Sequence, residues 1–198
     1  MVEKKIPTYS IEEYLLMEEV SEVKNEYETG RIVGMSGGTI NHGIIRNNIN
    51  IAVNNHLINK GLNCISINGE VRIWIEHANS FVYPDGMAVC GKIETFKNDK
   101  DSIINPILII EVLSKSTESY DRGDKFHKYG SLASFKEYVL IDQNKPVIDV
   151  LYKEDPSYWK MTTAIGLENS IILNSIKAEI KLSDIYRNAQ DLNPPKFK

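Results

Sequence analysis

Two acidic residues occur where a globular domain normally places apolar or turn residues. Glu111 lies within Ile107 to Leu113, a nearly continuous apolar run typical of a strand covered on both faces. An ionised carboxylate in such a strand is costly unless it pairs with a base or binds a metal. Asp85 lies 26 residues earlier, in Pro84-Asp85-Gly86, with apolar residues on both sides. Each acid alone has an ordinary explanation. Glu111 could lie at the exposed end of the strand or pair with a base, and Pro-Asp-Gly is common in turns.

A lysine follows on the helix predicted after this strand. Asp121, Lys125 and Tyr129 are spaced at i, i+4 and i+8, so a helix would place them on one stripe. The connection from Ser114 to Tyr120 is short, and the first turns of the helix could therefore return Lys125 towards the end of the strand. The alternative is a solvated Asp121–Lys125 pair worth roughly a few tenths of a kcal/mol.

These residue types suit hydrolysis of a phosphodiester with a divalent metal. Mg²⁺ is held in proteins by a few carboxylates and keeps several waters. The metal polarises the phosphate and lowers the pKa of a bound water. A nearby lysine can orient that water or neutralise charge on the phosphorus. We therefore expect Mg²⁺, or Mn²⁺ in its place, as the cofactor.

Composition and charge are those of an ordinary globular chain. The 198 residues, 42% hydrophobic and 25% charged, predict one domain and exclude disordered and collagen-like chains. The net charge of −4 gives no nucleic-acid signal by itself, although one locally basic face would be enough. No apolar run approaches the roughly 20 residues of a membrane helix, and the amino terminus has no apolar segment typical of secretion signals. We expect a cytoplasmic protein with no membrane partner.

The two cysteines, Cys64 and Cys90, are 26 residues apart and neither has a CxxC partner. This spacing indicates neither a metal knuckle nor a disulfide framework. We expect both thiols to be structural, in a reducing cytoplasm.

Helical and strand patterns alternate along the chain without an internal repeat. Ser10 and Glu13 form a capping-box pattern that predicts a helix to about Val20. Asn41 is a candidate N-cap for a long helix ending at Gly61, and a third helix is predicted from Asp121 to about Tyr129. A strand and turn, broken by Gly30 and Gly34, are predicted over Glu26 to Met35. Further strands are predicted over Cys64 to Ile67, Val71 to Ile75, Phe81 to Cys90 with a break at 84–86, Ile107 to Leu113, Tyr138 to Asp142, Val147 to Tyr152, Tyr158 to Thr163, and two short segments near 171–173 and 178–182.

This order predicts a single α/β (α+β) domain over residues 1–198 with a mixed sheet. Its core covers about 9–152, its carboxy-terminal strands 153–187 and its tail 188–198.

Three segments in sequence order, YPDGMAVC, PILIIEVLSKST and DRGDKFHKYGSLASFKEYVLID, resemble the PD-(D/E)xK nuclease superfamily. More narrowly, they are similar to the Uma2 family of restriction endonuclease-like bacterial proteins. The upstream segment NEYETGRIVGMSGGTINHGII is similar to the entry pattern of that family. The resemblance covers about Tyr9 to Tyr152. It implies a restriction-endonuclease-like core, a mixed β-sheet flanked by helices, with the metal site where strands diverge.

The resemblance also implies which residues hold the metal. Asp85 is similar to the metal-binding Asp of the PD element, and Glu111 to the acid of the ExK element. The main-chain carbonyl of Val112 would be a further ligand. Glu26 is similar to an upstream acid that lies near the same site in such folds.

The lysine departs from the superfamily pattern. Its usual place, two residues after the acid, is taken by Leu113. In the narrower family the lysine has moved to the following helix, and Lys125 corresponds to that place; Lys115 is a second candidate. His42, at the start of the long helix, could contact a substrate phosphate together with Lys115, or could be a capping or packing residue.

The leading hypothesis is a Mg²⁺- or Mn²⁺-dependent DNA endonuclease in which a metal-bound water attacks phosphorus and Lys125 positions or polarises that water. Enzymes of this type often act as homodimers. A locally basic surface could steer DNA with weak, strongly salt-dependent binding. Its bases would be Lys115, Arg122, Lys125, Lys128 and Lys136.

Two alternatives stay open from the sequence. One is a non-catalytic module on the same fold that binds nucleic acid or protein, which Leu113 and the acidic total charge favour. The other is a metal-dependent hydrolase of RNA or another phosphodiester, because a phosphate looks the same to the metal.

Overall fold

The structure is a computed structural model that describes residues 8–35 and 37–195. The helices are α1 (Ile11–Val20), α2 (Ile40–Asn59), α3 (Glu118–Arg122), α4 (Asp124–Gly130) and α5 (Leu182–Ile185). The strands are β1 (Asn25–Glu28), β2 (Arg31–Gly34), β3 (Cys64–Asn68), β4 (Arg72–Ile75), β5 (Ser80–Val82), β6 (Gly86–Cys90), β7 (Thr95–Phe96), β8 (Asp99–Ile103), β9 (Leu108–Leu113), β10 (Glu137–Asp142), β11 (Val147–Asp155), β12 (Tyr158–Ile165), β13 (Ser170–Leu173) and β14 (Ala178–Lys181).

The strands form two six-stranded sheets and a hairpin, where the sequence predicted one mixed sheet. The first sheet has the order β2-β1-β5-β4-β8-β7 and the second has the order β12-β11-β10-β9-β6-β3. Both sheets are mixed, because β4 runs parallel to β8 in the first and β9 runs parallel to β10 in the second. Strands β13 and β14 form the hairpin. The α+β class is confirmed, while the division into two sheets is a correction.

Helix α2 covers one face of the second sheet. Its buried residues Ile45, Ile49, Val53 and Leu57 are four positions apart, so they form one apolar stripe along the helix. This stripe packs in one core with β9, β10, β11 and the β13–β14 hairpin. The opposite face of the second sheet packs against β4, β5, β8 and α4. Within the described ranges, no helix is both long and apolar enough to cross a membrane.

Strand β9 is buried along its whole length, as its apolar run predicted. Successive residues of a strand point to opposite faces. Its even-numbered residues lie in the core under α2, whereas Ile109 and Leu113 lie in the core beside α4. Glu111 lies between Ile109 and Leu113 in this alternation, so its side chain points to the α4 side.

Several element boundaries differ from the sequence prediction. The N-cap of α2 is Thr39, whose hydroxyl accepts the N–H of His42, and not Asn41. The helix predicted from Asp121 to Tyr129 is two short helices, α3 and α4, separated at Gly123. Strands β7 and β8 were not predicted, since both are short and β8 is mostly polar.

The expectation of two separate thiols is wrong. Cys64 of β3 lies directly opposite Cys90 of β6 in the antiparallel register, and a disulfide joins them. Their Cα atoms are 3.9 Å apart. A separation of 26 residues does not reveal which strands become neighbours, so the sequence could not show this pair. The cysteines therefore no longer support a reducing compartment.

Candidate active site

Asp85 lies where the chain passes from one sheet to the other. Strand β5 ends at Val82 in the first sheet and β6 begins at Gly86 in the second. The pairing of β6 with β9 starts with Gly86 opposite Ile110. Beyond that pair, Asp85 Oδ2 accepts the main-chain N–H of Val112 at 2.8 Å. The carboxylate thus satisfies a β9 donor that has no β6 residue opposite it, and this bond places Asp85 beside Glu111.

Three donors hold the carboxylate of Glu111. Lys125 Nζ and the hydroxyl of Tyr129 each lie 2.9 Å from Oε1. The main-chain N–H of Asp85 donates to Oε2 at 3.3 Å. Glu111 is only 3% exposed. Burial raises the pKa of this carboxyl to about 8, although the positive charge of Lys125 opposes the rise.

Lys125 is the buried cation of the site. Its Nζ lies 2.9 Å from Glu111, 3.5 Å from Glu26 and 3.8 Å from Asp121, and it donates to the carbonyl of Tyr83 at 3.2 Å. Burial opposes the charged form, but the three carboxylates outweigh burial and hold the pKa of Lys125 above its usual value. The ammonium therefore stays protonated and carries a fixed positive charge.

Glu26 reaches the site from the first sheet. Strand β1 pairs with β5 through Tyr27 opposite Phe81, which brings the preceding residue Glu26 close to Tyr83. Glu26 Oε1 accepts the N–H of Tyr83 at 3.1 Å and also faces Lys125. In this arrangement its carboxylate supports the Tyr83–Asp85 crossing and the lysine. Its predicted role as a metal ligand stays a prediction.

Helix α2 supplies a basic wall opposite the acids. His42 Nε2 lies 3.1 Å from Asp85 Oδ2, and Arg46, one turn later, has its guanidinium 4.0 Å from Asp85 Oδ1. Lys115 lines the same cleft, whose volume is about 920 Å³. Asp85, Glu111 and Lys125 also line this cleft. All the predicted site residues are thus brought to one cavity.

Some residues of this cavity were missed or misjudged from sequence. Tyr129 was placed on one stripe with Asp121 and Lys125 but was given no role, yet its buried hydroxyl bonds to Glu111. The i, i+4, i+8 stripe of Asp121, Lys125 and Tyr129 carried the signal for this contact. Arg46 was not predicted, although it lies four residues after His42 and the same helical spacing would have found it.

The predicted basic surface is only partly present. Lys125 is buried. Arg122 pairs with Asp149 at 2.7 Å and with Glu118 at 3.0 Å, and Lys128 pairs with Glu28 at 2.6 Å. Arg122 and Lys128 are therefore engaged within the chain. Besides Lys125, the cleft is lined by the basic residues His42, Arg46 and Lys115.

Two carboxylates meet here as potential metal ligands. Among the residues that the structure describes, no three His, Cys, Asp or Glu side chains form a metal-binding group. Asp85 and Glu111 are linked through the Asp85 N–H, and the N–H of Val112 is bonded to Asp85. The role of the Val112 carbonyl as a ligand stays a prediction.

This chain is similar in sequence to two cyanobacterial proteins and in fold to one solved structure. Uncharacterized protein slr1290 of Synechocystis sp. (strain ATCC 27184 / PCC 6803 / Kazusa) is 33% identical over 181 residues, which cover 91% of this chain and 93% of that protein. Uncharacterized protein sll1609 of the same organism is 30% identical over 160 residues, or 81% of this chain and 89% of the relative. A solved structure described as a putative nuclease belonging to DUF820 from Anabaena variabilis ATCC 29413 has a TM-score of 0.71 at 15% identity. The match covers 90% of this chain and 97% of that chain, and it shows that the two share a fold.

Residues 11–183 match the model of the Uma2 family, which is described as "Putative restriction endonuclease". This description supports a nuclease-like function. Because the match spans most of the 198 residues, the chain belongs to the Uma2 family.

Proposed function

We propose that this chain is a metal-dependent endonuclease that hydrolyses phosphodiester bonds of DNA in the cleft between α2 and the β9–α3 connection. The observation that carries the proposal is the meeting of Asp85, Glu111 and Lys125 in one cavity. Lys125 Nζ lies 2.9 Å from Glu111, and the Asp85 N–H donates to the same carboxylate. Two acids and a protonated lysine from three separate elements are the groups that this chemistry needs.

The donor set fits Mg²⁺ or Mn²⁺. Mg²⁺ is usually bound by one or two carboxylates and substrate phosphates, and it keeps several waters. Asp85 and Glu111 supply two carboxylates beside a cleft open to solvent, and we propose that they hold the ion, with Val112 and Glu26 as further candidates. A bound divalent ion would polarise the phosphate and lower the pKa of a water.

Lys125 supplies positive charge in this proposal and does not act as a base. Its three carboxylate neighbours hold its pKa above the usual value, so its Nζ keeps its proton at neutral pH. A protonated ammonium fixed beside Glu111 can stabilise the negative charge that builds up around phosphorus in the transition state. The hydrogen bond from Lys125 Nζ to the Tyr83 carbonyl fixes the position of the ammonium.

The α2 wall supplies contacts for the substrate. His42 and Arg46 lie close to Asp85, and Lys115 also lines the cleft. Phosphate contacts of this kind fix the position of a nucleic acid and make its binding salt-dependent. We propose a homodimer for cleavage of both strands of a duplex, which sedimentation of the protein alone and with DNA would test.

Cleavage of supercoiled plasmid in Mg²⁺ and separately in Mn²⁺ tests the proposal. We expect nicking by the wild-type protein, and loss of nicking in Asp85→Ala and Lys125→Ala. Lys97→Ala is the matched control, since Lys97 is an exposed lysine outside both the cleft and the predicted basic surface. It should cleave as the wild type does.

The other outcomes separate the alternatives. Equal cleavage by all four proteins would indicate a contaminating nuclease. Cleavage of RNA but not of plasmid or single-stranded DNA would change the substrate class. No cleavage of any of them by the wild-type protein would favour a non-catalytic binding module on this fold.

A further inference from the structure

Residues Tyr83–Asp85, where the chain crosses from the first sheet to the second, are held by four different elements. Each element bonds to one main-chain group of Tyr83 or Asp85. The N–H of Tyr83 donates to Glu26, and the carbonyl of Tyr83 accepts from Lys125. The N–H of Asp85 donates to Glu111. The carbonyl of Asp85 accepts from the side chain of Asn50, on α2, at 3.1 Å. Asn50 is thus a side-chain donor to the main chain of the candidate ligand Asp85, and it has no part in the proposed chemistry.

The orientation of the Asn50 amide follows from its two acceptors. The same terminal atom, Nδ2, lies 2.8 Å from the carbonyl of Arg46 and 3.1 Å from that of Asp85. Because both neighbours are carbonyl oxygens, this atom must be the amide nitrogen. The other terminal atom, Oδ1, is buried and has no hydrogen-bond partner among the described residues.

A buried, unpaired acceptor costs free energy that an apolar side chain of similar shape avoids. Leucine would avoid that cost, but it would leave the Asp85 carbonyl without the donor that Asn50 supplies. What Asn50 contributes, and leucine cannot, is the hydrogen bond to the Asp85 carbonyl.

Gly86 makes this contact possible. A Cβ at position 86 would overlap Asn50 Oδ1 and would lie 2.9 Å from Nδ2. On the other side of the crossing, a Cβ at Gly69 would lie 2.7 Å from the carbonyl of Pro84. The crossing is therefore packed between α2 and the β3–β4 turn, and a glycine lies at each point of closest approach.

We propose that Asn50 is a positioning residue that fixes the Asp85 main chain, and through it the direction of the Asp85 carboxylate, towards Glu111. The expected effect of this direction on metal binding rests on the proposed function. The effect of the hydrogen bond on the main chain does not rest on it, so the two effects can be tested separately.

The test compares Asn50→Leu with Asn48→Leu, a matched control on the same helix. Asn48 Nδ2 also donates to two main-chain carbonyls, those of Ile185 and Arg187, but these lie in the carboxy-terminal segment. Hydrogen exchange of the peptide covering 83–88, measured in EDTA, reports on the crossing without metal. We expect roughly fivefold faster exchange in Asn50→Leu, the change that one net hydrogen bond represents, and no change there in Asn48→Leu.

The second measurement is the affinity for Mn²⁺ by calorimetry, with Asp85→Ala as the variant expected to bind no metal. Loss of a side chain that orients a metal ligand weakens binding about 10- to 100-fold. We expect this loss in Asn50→Leu. If the leucine variant does not fold, Asn50→Ala takes its place, because it loses the donor without adding bulk. It should show the same faster exchange at 83–88 and the same weaker Mn²⁺ binding.

Each outcome has a definite meaning. Unchanged exchange at 83–88 in both Asn50 variants overturns the inference, and so does faster exchange with unchanged Mn²⁺ affinity. If the wild-type protein binds no Mn²⁺ while the Asn50 variants still exchange faster, Asn50 holds the crossing and the proposed metal-dependent function is the part that fails.

Discussion

Lys125 Nζ lies 2.9 Å from Glu111 Oε1, although the two residues lie on different elements. Glu111 belongs to a strand buried on both faces, and Lys125 returns to it from α4. The same ammonium faces Glu26 and Asp121. One buried cation thus offsets part of the mutual repulsion of three acids, which would otherwise oppose folding.

Replacing this lysine should destabilise the metal-free protein. In Lys125→Met the carboxylates of Glu111, Glu26 and Asp121 lose their shared cation. We expect the free energy of unfolding, measured in urea at pH 8, to be about 3–5 kcal/mol lower, which is the usual penalty for breaking a buried ion pair. At pH 5 the loss should be smaller, since the acids can take up protons.

Lys136→Met is the control, because Lys136 is an exposed lysine. It should unfold like the wild type at both pH values. An equal loss for Lys125→Met at pH 5 and pH 8 would show that packing, and not charge, is what the lysine contributes.

The raised pKa of Glu111 makes stability depend on pH in a definite direction. Burial raises this pKa from 4.5 to about 8, so between these values the folded protein binds a proton that the unfolded chain has lost. Stability from this group is therefore greatest below about pH 4.5 and decreases as the pH rises to about 8. We expect Glu111→Gln to lack this decrease.

Thermal unfolding of both proteins in EDTA from pH 5 to pH 9 measures the effect. The difference in Tm between Glu111→Gln and the wild type should grow with pH. Asp121, whose pKa burial also raises, is present in both proteins. A difference that is independent of pH would contradict the assignment.

The close approach of Gly86 to Asn50 predicts coupling between substitutions at the two positions. Gly86→Ala alone should destabilise the protein by about 1–3 kcal/mol through overpacking. In the double variant with Asn50→Ala the clash is relieved, so the combined loss should be smaller than the sum of the two single losses. Urea unfolding of the four proteins measures this coupling.

Gly130→Ala controls for the change of residue type, since a Cβ there meets nothing within 4 Å. It should be neutral or slightly stabilising. Strict additivity of the Gly86 and Asn50 changes would show that the two residues do not touch.

The disulfide predicts sensitivity to reductant. Cys64 and Cys90 close a loop with a sequence separation of 26, and the chain-entropy model assigns such a loop about 3–4 kcal/mol. We expect dithiothreitol to lower the free energy of unfolding by this amount. Cys64→Ser/Cys90→Ser should start at the lower value and not respond to reductant, and an equal response of both proteins would argue against the bond.

Local patterns predicted the elements that carry the site. The continuous apolar run over Ile107 to Leu113 predicted β9, because a strand covered on both faces needs no polar alternation. Ser10 and Glu13 form the capping box that starts α1. The acid inside β9, the acid after Pro84 and the lysine one helix later were all found from residue type and spacing. These features could be predicted since each depends on residues close together in the chain.

Contacts between distant segments could not be predicted in the same way. The sequence did not show that the strands separate into two sheets, that β3 and β6 are neighbours joined by a disulfide, or that Arg46 and Asn50 face Asp85. Periodicity shows which side of its own helix or strand a residue occupies, and it does not show what that side packs against.

The sequence by itself therefore determined the α+β class, most of the elements and the acids and lysine of the candidate site. The tertiary structure alone decided how these groups are held. It placed one buried ammonium among three carboxylates, bonded Tyr129 to Glu111 and set Asn50 against the main chain of Asp85. The physical reason is that burial and hydrogen bonding between remote segments depend on how the two sheets and α2 pack together, which no single stretch of sequence encodes.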